Sequence, residues 1–252
     1  MTQLLIWTRS QSDWAQDRDD IDQAGLGGLE IVHLPLFEIQ PVDCDARIRQ
    51  KIAEWSGPVV YAFTSKNAVD CWLTPVENKT WVAHAADIFA VGEPTQRALR
   101  AHGFTRVQTP WDYSGEALGQ LLVQSVAKTA LVVCPGAQDR AYDLETYLTQ
   151  HGLTCVAPVI YENIPVAHAV LKKIWFKTLT TSVQGIIALT SPKIVDRFEQ
   201  FSHKENIQFH GFKAVVLGPT TEKACRGVFY EVNVAEQPKI PSLLATIKQL
   251  IS

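Results

Sequence analysis

The sequence repeats itself at half its own length of 252 residues. Ala62-Phe-Thr-Ser-Lys-Asn-Ala-Val-Asp70 lies over Ala188-Leu-Thr-Ser-Pro-Lys-Ile-Val-Asp196, with Ala, Thr, Ser, Val and Asp identical. In the same register Val91-Gly-Glu-Pro-Thr-Gln-Arg-Ala98 lies over Leu217-Gly-Pro-Thr-Thr-Glu-Lys-Ala224. Upstream, Asp13, Ala15 and Asp17 fall on Asp139, Ala141 and Asp143. One register kept through three separated blocks means two copies of one structural unit. With 46% hydrophobic and 19% charged residues, the chain can bury the core that two such copies need.

Each copy alternates short apolar runs with stretches of helix length. Leu4–Trp7, Leu29–Leu34, Val59–Phe63, Ile88–Val91, Leu131–Cys134, Cys155–Ile160, Gly185–Leu189 and Ala214–Leu217 read as buried strands. They are apolar on successive residues, as parallel strands covered on both faces are. Two more are expected near 106–108 and 230–234, giving about ten strands, five to a sheet. Gly115–Ala127, Asp139–Gln150 and Pro241–Ile251 read as amphipathic helices, and Gly25, Gly103 and Gly152 fall where helices should stop. The fold class is therefore α/β with parallel sheets.

Proline-bearing stretches near 35–41 and 160–166 interrupt the pattern at equivalent places. They read as paired crossings between two domains: 1–36 with 166–252 as one discontinuous α/β domain, and 37–165 as a second, inserted α/β domain.

Several function classes drop out. The 23 basic and 26 acidic residues give a formal net charge of −3, so a concentrated basic face for nucleic acid is not expected. No apolar run approaches the ~20 residues that span a bilayer. Met1-Thr-Gln-Leu-Leu-Ile-Trp7 places no basic residue before its apolar ones, so no secretory signal is expected. Cys44, Cys71, Cys134, Cys155 and Cys225 form no Cys-x-x-Cys pair and are odd in number. They read as core residues of a cytoplasmic protein. The seven histidines are scattered, and no metal site is expected. Gly25-Leu-Gly-Gly28 follows a helix and is a turn, not a dinucleotide fingerprint; Walker A and Gly-x-Ser-x-Gly sequences are missing.

What remains sits at strand ends. Thr64-Ser65, Gly92-Glu-Pro-Thr95, Thr190-Ser191 and Gly218-Pro-Thr-Thr221 each follow an apolar strand and open a helix. Ligands of open parallel sheets bind beyond these ends, and orphan N–H groups with the helix dipole favour anions there. Each Ser or Thr taken singly also reads as an ordinary N-cap. Two equivalent pairs favour a shared anion cleft.

The ordered set of these motifs resembles the uroporphyrinogen-III synthase family of tetrapyrrole biosynthesis, over nearly the whole chain. It comprises the opening strand ending Thr8-Arg9, Phe63-Thr-Ser-Lys-Asn-Ala-Val69, Val91-Gly-x-x-Thr95 and Tyr161 after Val156–Ile160. Thr190-Ser191, Leu217-Gly-Pro-Thr-Thr221 and Ala235-Glu-Gln-Pro238 complete it. The resemblance implies two flavodoxin-like domains joined by a two-stranded linker. It implies a lyase that dehydrates and cyclises hydroxymethylbilane, a linear tetrapyrrole with eight carboxylates, inverting the terminal ring D to give uroporphyrinogen III. The family's route passes through an azafulvene cation and a spiro-pyrrolenine, without cofactor or metal. A cytoplasmic monomer acting on this small molecule, with no nucleic-acid or membrane partner, is the matching expectation.

Carried over by the resemblance, Tyr161 matches the tyrosine proposed to assist departure of the hydroxyl; packing as a linker aromatic is its alternative. Ser65, Thr95, Ser191 and Thr221 match positions that hold acetate and propionate groups. Thr64, Lys66, Asn67 and Thr220 adjoin them in the same motifs. Arg9, after a strand, and Arg140, expected to open a helix, are candidate carboxylate partners; surface ion pairing is the alternative for each. Cys134-Pro-Gly-Ala-Gln-Asp-Arg140 departs from the family's glycine-rich stretch, and Pro192-Lys193 stands where the first copy has Lys66-Asn67. Two rival readings are a non-catalytic two-domain sensor or binding protein for a small polyanion, and a homologue that has lost the reaction.

Overall fold

The computed structural model describes residues 4–178, 184–207 and 211–251. The chain runs β1 (Leu4–Trp7), α1 (Trp14–Gln23), β2 (Glu30–His33), β3 (Phe37–Pro41), α2 (Ala46–Ala53), β4 (Val59–Phe63), α3 (Lys66–Leu73) and α4 (Val76–Ala83). β5 (Asp87–Ala90), α5 (Glu93–Ala101), α6 (Gly115–Ser125), β6 (Leu131–Val133) and β7 (Gly136–Ala137) follow. Then come α7 (Leu144–Gln150), β8 (Thr154–Val156), β9 (Val159–Pro165), α8 (His168–Thr178), β10 (Gly185–Leu189) and α9 (Pro192–Lys204). β11 (Phe212–Val216), α10 (Pro219–Cys225), β12 (Val232–Val234) and α11 (Ile240–Ile251) complete it.

The chain divides into two compact units, one of residues 1–39 with 164–252 and the other of residues 40–163. The first holds a five-stranded sheet in the order β12-β11-β10-β1-β2, parallel throughout. Counted along the chain this is 2-1-3-4-5, the flavodoxin-like order. The second holds the parallel order β5-β4-β6-β8. Counted from β6 it is the same order with its last strand reduced to one bridge, Phe89 to Gln108. Each unit therefore takes its first two strands from one copy of the repeat and the remainder from the other. A three-stranded sheet, β3-β9-β7, carries the two crossings; Val42 N–H donates to the Ile160 carbonyl, and Val166 N–H to the Leu36 carbonyl.

The unbroken apolar runs are explained by burial on both faces. In the five-stranded sheet Leu4 and Ile6 pack with Trp175, Phe198 and Phe201 on one side. Leu5 and Trp7 pack with Ile21, Leu243 and Ile247 on the other. In the four-stranded sheet Val60, Ala62 and Val132 join Leu118, Leu122 and Leu148. Gly25, Gly103 and Gly152 take φ of 76°, 97° and 76° just after α1, α5 and α7, as helix-terminating glycines do.

Three expectations need correction. The run Cys155–Ile160 is not one strand but the end of β8 and the start of β9. Pro158 has no N–H for a ladder, and Nη2 of Arg140 donates to the carbonyls of Ala157 and Pro158 at 2.9 and 2.8 Å. The segment 106–108 forms only the bridge at Gln108, so the second sheet has four strands. Residues 139–143 are not helical. α7 begins at Leu144, where Asp143 caps it by accepting from Thr146 N–H at 3.0 Å. Arg140 thus lies in a loop and opens no helix.

Within the first unit, Glu205 at the end of α9 ties α8 down. Its carboxylate accepts from Lys172 at 2.8 Å and from His168 at 2.6 Å. These bonds, Lys172 first, hold its pKa below the usual 4.5. A depressed carboxyl contributes stability above the unfolded pKa and loses it as pH falls through the folded value. Glu205→Gln is expected to lower the melting temperature by a few degrees at pH 7. It should also remove part of the destabilisation expected on acidification below about pH 5, as read by thermal melts across pH.

Candidate active site

Tyr161 sits on β9 opposite Ala137 of β7, where Gln138 N–H donates to its carbonyl at 3.1 Å. Its side chain is buried, and its hydroxyl lies 3.0 Å from Oγ of Ser65, 96 residues away in sequence. Ser65 ends the turn from β4 into α3 in extended conformation, and its Oγ accepts from Ala68 N–H at 3.0 Å. The phenol is thereby fixed to the N-cap of a helix. Burial pushes the Tyr161 pKa above its usual 10, the Ser65 hydrogen bond opposing. A phenol so placed keeps its proton at neutral pH and can donate it, or a hydrogen bond, to an adjacent oxygen.

The two copies build matching helix starts. Ser191 caps α9 with dihedrals of −155° and 159°, against −156° and 156° at Ser65, and accepts from Ile194 N–H at 3.4 Å. Both serines are therefore N-caps. The two threonines are not. Thr95 and Thr221 are buried third residues of α5 and α10, behind Gly92 and Gly218, and neither helix has a side-chain cap. Gly92 is required by close approach, since a Cβ there would lie 2.9 Å from the ring of Tyr113.

Ser65→Ala and Ser191→Ala should each cost about 1 kcal/mol as lost caps, read by urea denaturation. Only the first also removes the hydrogen-bond partner of Tyr161, so any loss at Ser65 beyond that at Ser191 measures this contact.

The remaining candidates are placed as follows. Thr64 is exposed, and Lys66 and Asn67 are half-buried in the first turn of α3. Thr220 is exposed in α10. Arg9, beyond β1, already faces two carboxylates: Nη2 lies 3.1 Å from Asp13, and Nη1 pairs with buried Asp17. Asp17 also accepts from Trp7 Nε1–H at 2.8 Å. Nε2 of His33 lies 2.9 Å from the Arg9 carbonyl, and its ring stacks on Trp14 at 4.2 Å and 3°. Burial lowers the His33 pKa, so the neutral imidazole donates there. Arg140 spends Nη2 on the backbone, while its charge is felt at the Tyr161 phenol. Thus the structure joins Ser65 to Tyr161 and commits Arg9 and Arg140 to partners within the protein.

Sequence reasoning passed over Tyr113 and Trp111, which is 91% exposed. Two aromatics in a loop between the Gln108 bridge and the Ser114 cap of α6 are a signal that could have been read. Among the described residues, no group of three His, Cys, Asp or Glu side chains could hold a metal.

The model of the family described as uroporphyrinogen-III synthase HemD matches residues 22–245. No curated protein matches the chain by sequence. Among solved structures, uroporphyrinogen-III synthetase from Helicobacter pylori is similar, with a TM-score of 0.66 and 20% identity over 99% of this chain and 100% of that one. A mutant uroporphyrinogen III synthase from the extremely thermophilic bacterium Thermus thermophilus gives a TM-score of 0.56 and 16% identity, over 99% of each chain. These two likenesses are of fold. The family model spans both copies of the Thr-Ser and Gly-x-x-Thr blocks, their helix starts and Tyr161, and on that match the chain belongs to the uroporphyrinogen-III synthase family.

Proposed function

We propose that Tyr161 assists loss of the hydroxyl in the reaction of this family, the dehydration and cyclisation of hydroxymethylbilane to uroporphyrinogen III. The chain is a lyase of haem biosynthesis. The observation that carries the role of Tyr161 is the protonated, buried phenol fixed to the Ser65 cap. The C–O bond breaks as the phenol proton moves to the departing oxygen, so water leaves and the azafulvene cation remains. The proton given up when the last ring carbon regains aromaticity restores the phenol.

The substrate closes unaided to the uninverted isomer, so the protein must favour the spiro-like arrangement over the direct one. Substrate carboxylates are received, on this reading, at the strand ends bearing Ser65, Thr95, Ser191 and Thr221, with Thr64, Lys66, Asn67 and Thr220 beside them. Uncapped N–H groups behind Gly92 suit that role. Arg9 and Arg140 act by holding their loops. The same reading takes residues 1–36 with 166–252, and 37–165, as the two domains. It also takes the chain as a cytoplasmic monomer without nucleic-acid partners. Against a nucleic-acid partner stands the net charge of −3; no helix among the described residues is long and apolar enough to cross a membrane.

The test is a coupled assay in which hydroxymethylbilane is generated in situ and the oxidised products are separated by isomer. Predominantly type III product is expected. Type I alone, as without protein, would overturn the reading and leave a polyanion-binding protein in its place. Sedimentation velocity checks the monomer.

A further inference from the structure

Two cysteines that the mechanism does not use face each other inside the second unit. Cys134 directly follows β6 and Cys155 lies in β8, and their sulfurs are 3.7 Å apart and buried. The register pairs Cys155 with Val132, two residues before Cys134. With a rise of about 3.3 Å per residue and strands about 4.8 Å apart, the two Cα atoms stand about 8 Å apart. That exceeds the ~7 Å beyond which a disulfide needs backbone movement. The sulfurs converge while the backbones stay too far apart to be joined directly.

We propose that Cys134 and Cys155 form a two-thiol site that takes one thiophilic atom between them, of the trivalent arsenical class R–As(OH)2. A single atom with two long bonds to sulfur spans what an S–S bond cannot, and soft thiolate ligands select soft centres. In the exchange two As–O and two S–H bonds break, two As–S bonds form, and each thiol proton leaves with a hydroxide as water. Arsenic stays trivalent, so no oxidant is needed. The contact with Cys155 and burial push the Cys134 thiol pKa well up, so the exchange starts from the thiol and capture is expected to be slow. The other cysteines have different company: Cys44 faces the Asp45 carbonyl at 3.6 Å, Cys71 the Asp70 charge and Cys225 the Glu222 charge.

Capture would tie β6 to β8 through their side chains just before the two strands continue into the segments that hold Tyr161. Gly136 N–H donates to the Pro158 carbonyl at 3.0 Å, and Gln138 N–H to that of Tyr161. A fall in turnover on capture rests on the proposed role of Tyr161; the binding itself does not.

The experiment uses the folded full-length protein and phenylarsine oxide, followed by intact mass and by alkylation mapping after denaturation. One phenylarsenic group per chain is expected, protecting Cys134 and Cys155 together. Chelation should hold it roughly 100-fold more tightly than any single cysteine, so that a dithiol releases it and a monothiol does not. Cys134→Ala and Cys155→Ala should each abolish the tight adduct, with thermal melts confirming the fold. The wild-type mapping answers the same question if either variant unfolds. An adduct on other cysteines, no adduct on the folded chain, or a Cys134–Cys155 disulfide formed by diamide without loss of fold would overturn the proposal. Tight binding with unchanged turnover would leave the site standing and show that capture does not displace Tyr161.

Discussion

Tyr161→Phe is expected to lower kcat about 100-fold, the lower range for removing a positioned proton donor. The substitution keeps the ring buried and deletes one hydrogen bond to Ser65, so stability should fall by only about 1 kcal/mol. KM should change little, because in the proposed role the hydroxyl acts on the breaking bond. Isomer analysis adds a second readout: as catalysis slows, unaided closure competes, and type I product should rise. Because burial holds the phenol pKa above 10, the wild-type rate should show no alkaline decline from Tyr161 below that pH. Unchanged turnover in the variant would reduce Tyr161 to a packing residue of β9.

Asp17→Ala is expected to cost about 3 kcal/mol of stability, among the larger effects a single side chain can have here. Asp17 is 2% exposed, pairs with Arg9 and accepts from the indole of fully buried Trp7. Removing it leaves the guanidinium with less compensation and a buried N–H unpaired, a penalty of about 1–3 kcal/mol by itself. Asp17→Asn keeps an acceptor for the indole and should fall between the two. Asp13→Ala, at the more exposed end of the same network, should cost about 1 kcal/mol. Urea denaturation of the set would reveal the order; equal losses at Asp13 and Asp17 would show that burial does not set the cost.

Much of the architecture was legible because periodicity and the repeat are properties of a linear string. Val59–Phe63 and Gly185–Leu189 stand in one register in the sequence, and they are equivalent strands in the two sheets. Gly92 and Gly218 likewise head equivalent helices with φ of −176° and −177°. What escaped depends on partners brought from afar. The break at Pro158 is held by Arg140, and the late start of α7 follows from the Asp143 cap, which an amphipathic pattern beginning at Asp139 conceals. The contact of Ser65 with Tyr161 joins two motifs whose spacing along the chain carries no trace of it. An arginine's type announces charge but not which acceptor it meets in the folded chain, so the carboxylates beside Arg9 and the carbonyls beside Arg140 could not be read from the sequence.

The exchange of strands between the two copies has a consequence for how the protein comes into being. β1 pairs Leu4 with Gly185 on one side, so the opening strand has no complete neighbourhood until β10 has been synthesised. The sheet of the second unit needs nothing beyond Val156 and can close first during translation. Contacts so remote in sequence fold slowly, and the apolar segment Leu4–Trp7 stays unpaired on that side meanwhile. Cotranslational order here runs from the middle outward, and the C-terminal third gives the opening strand its place.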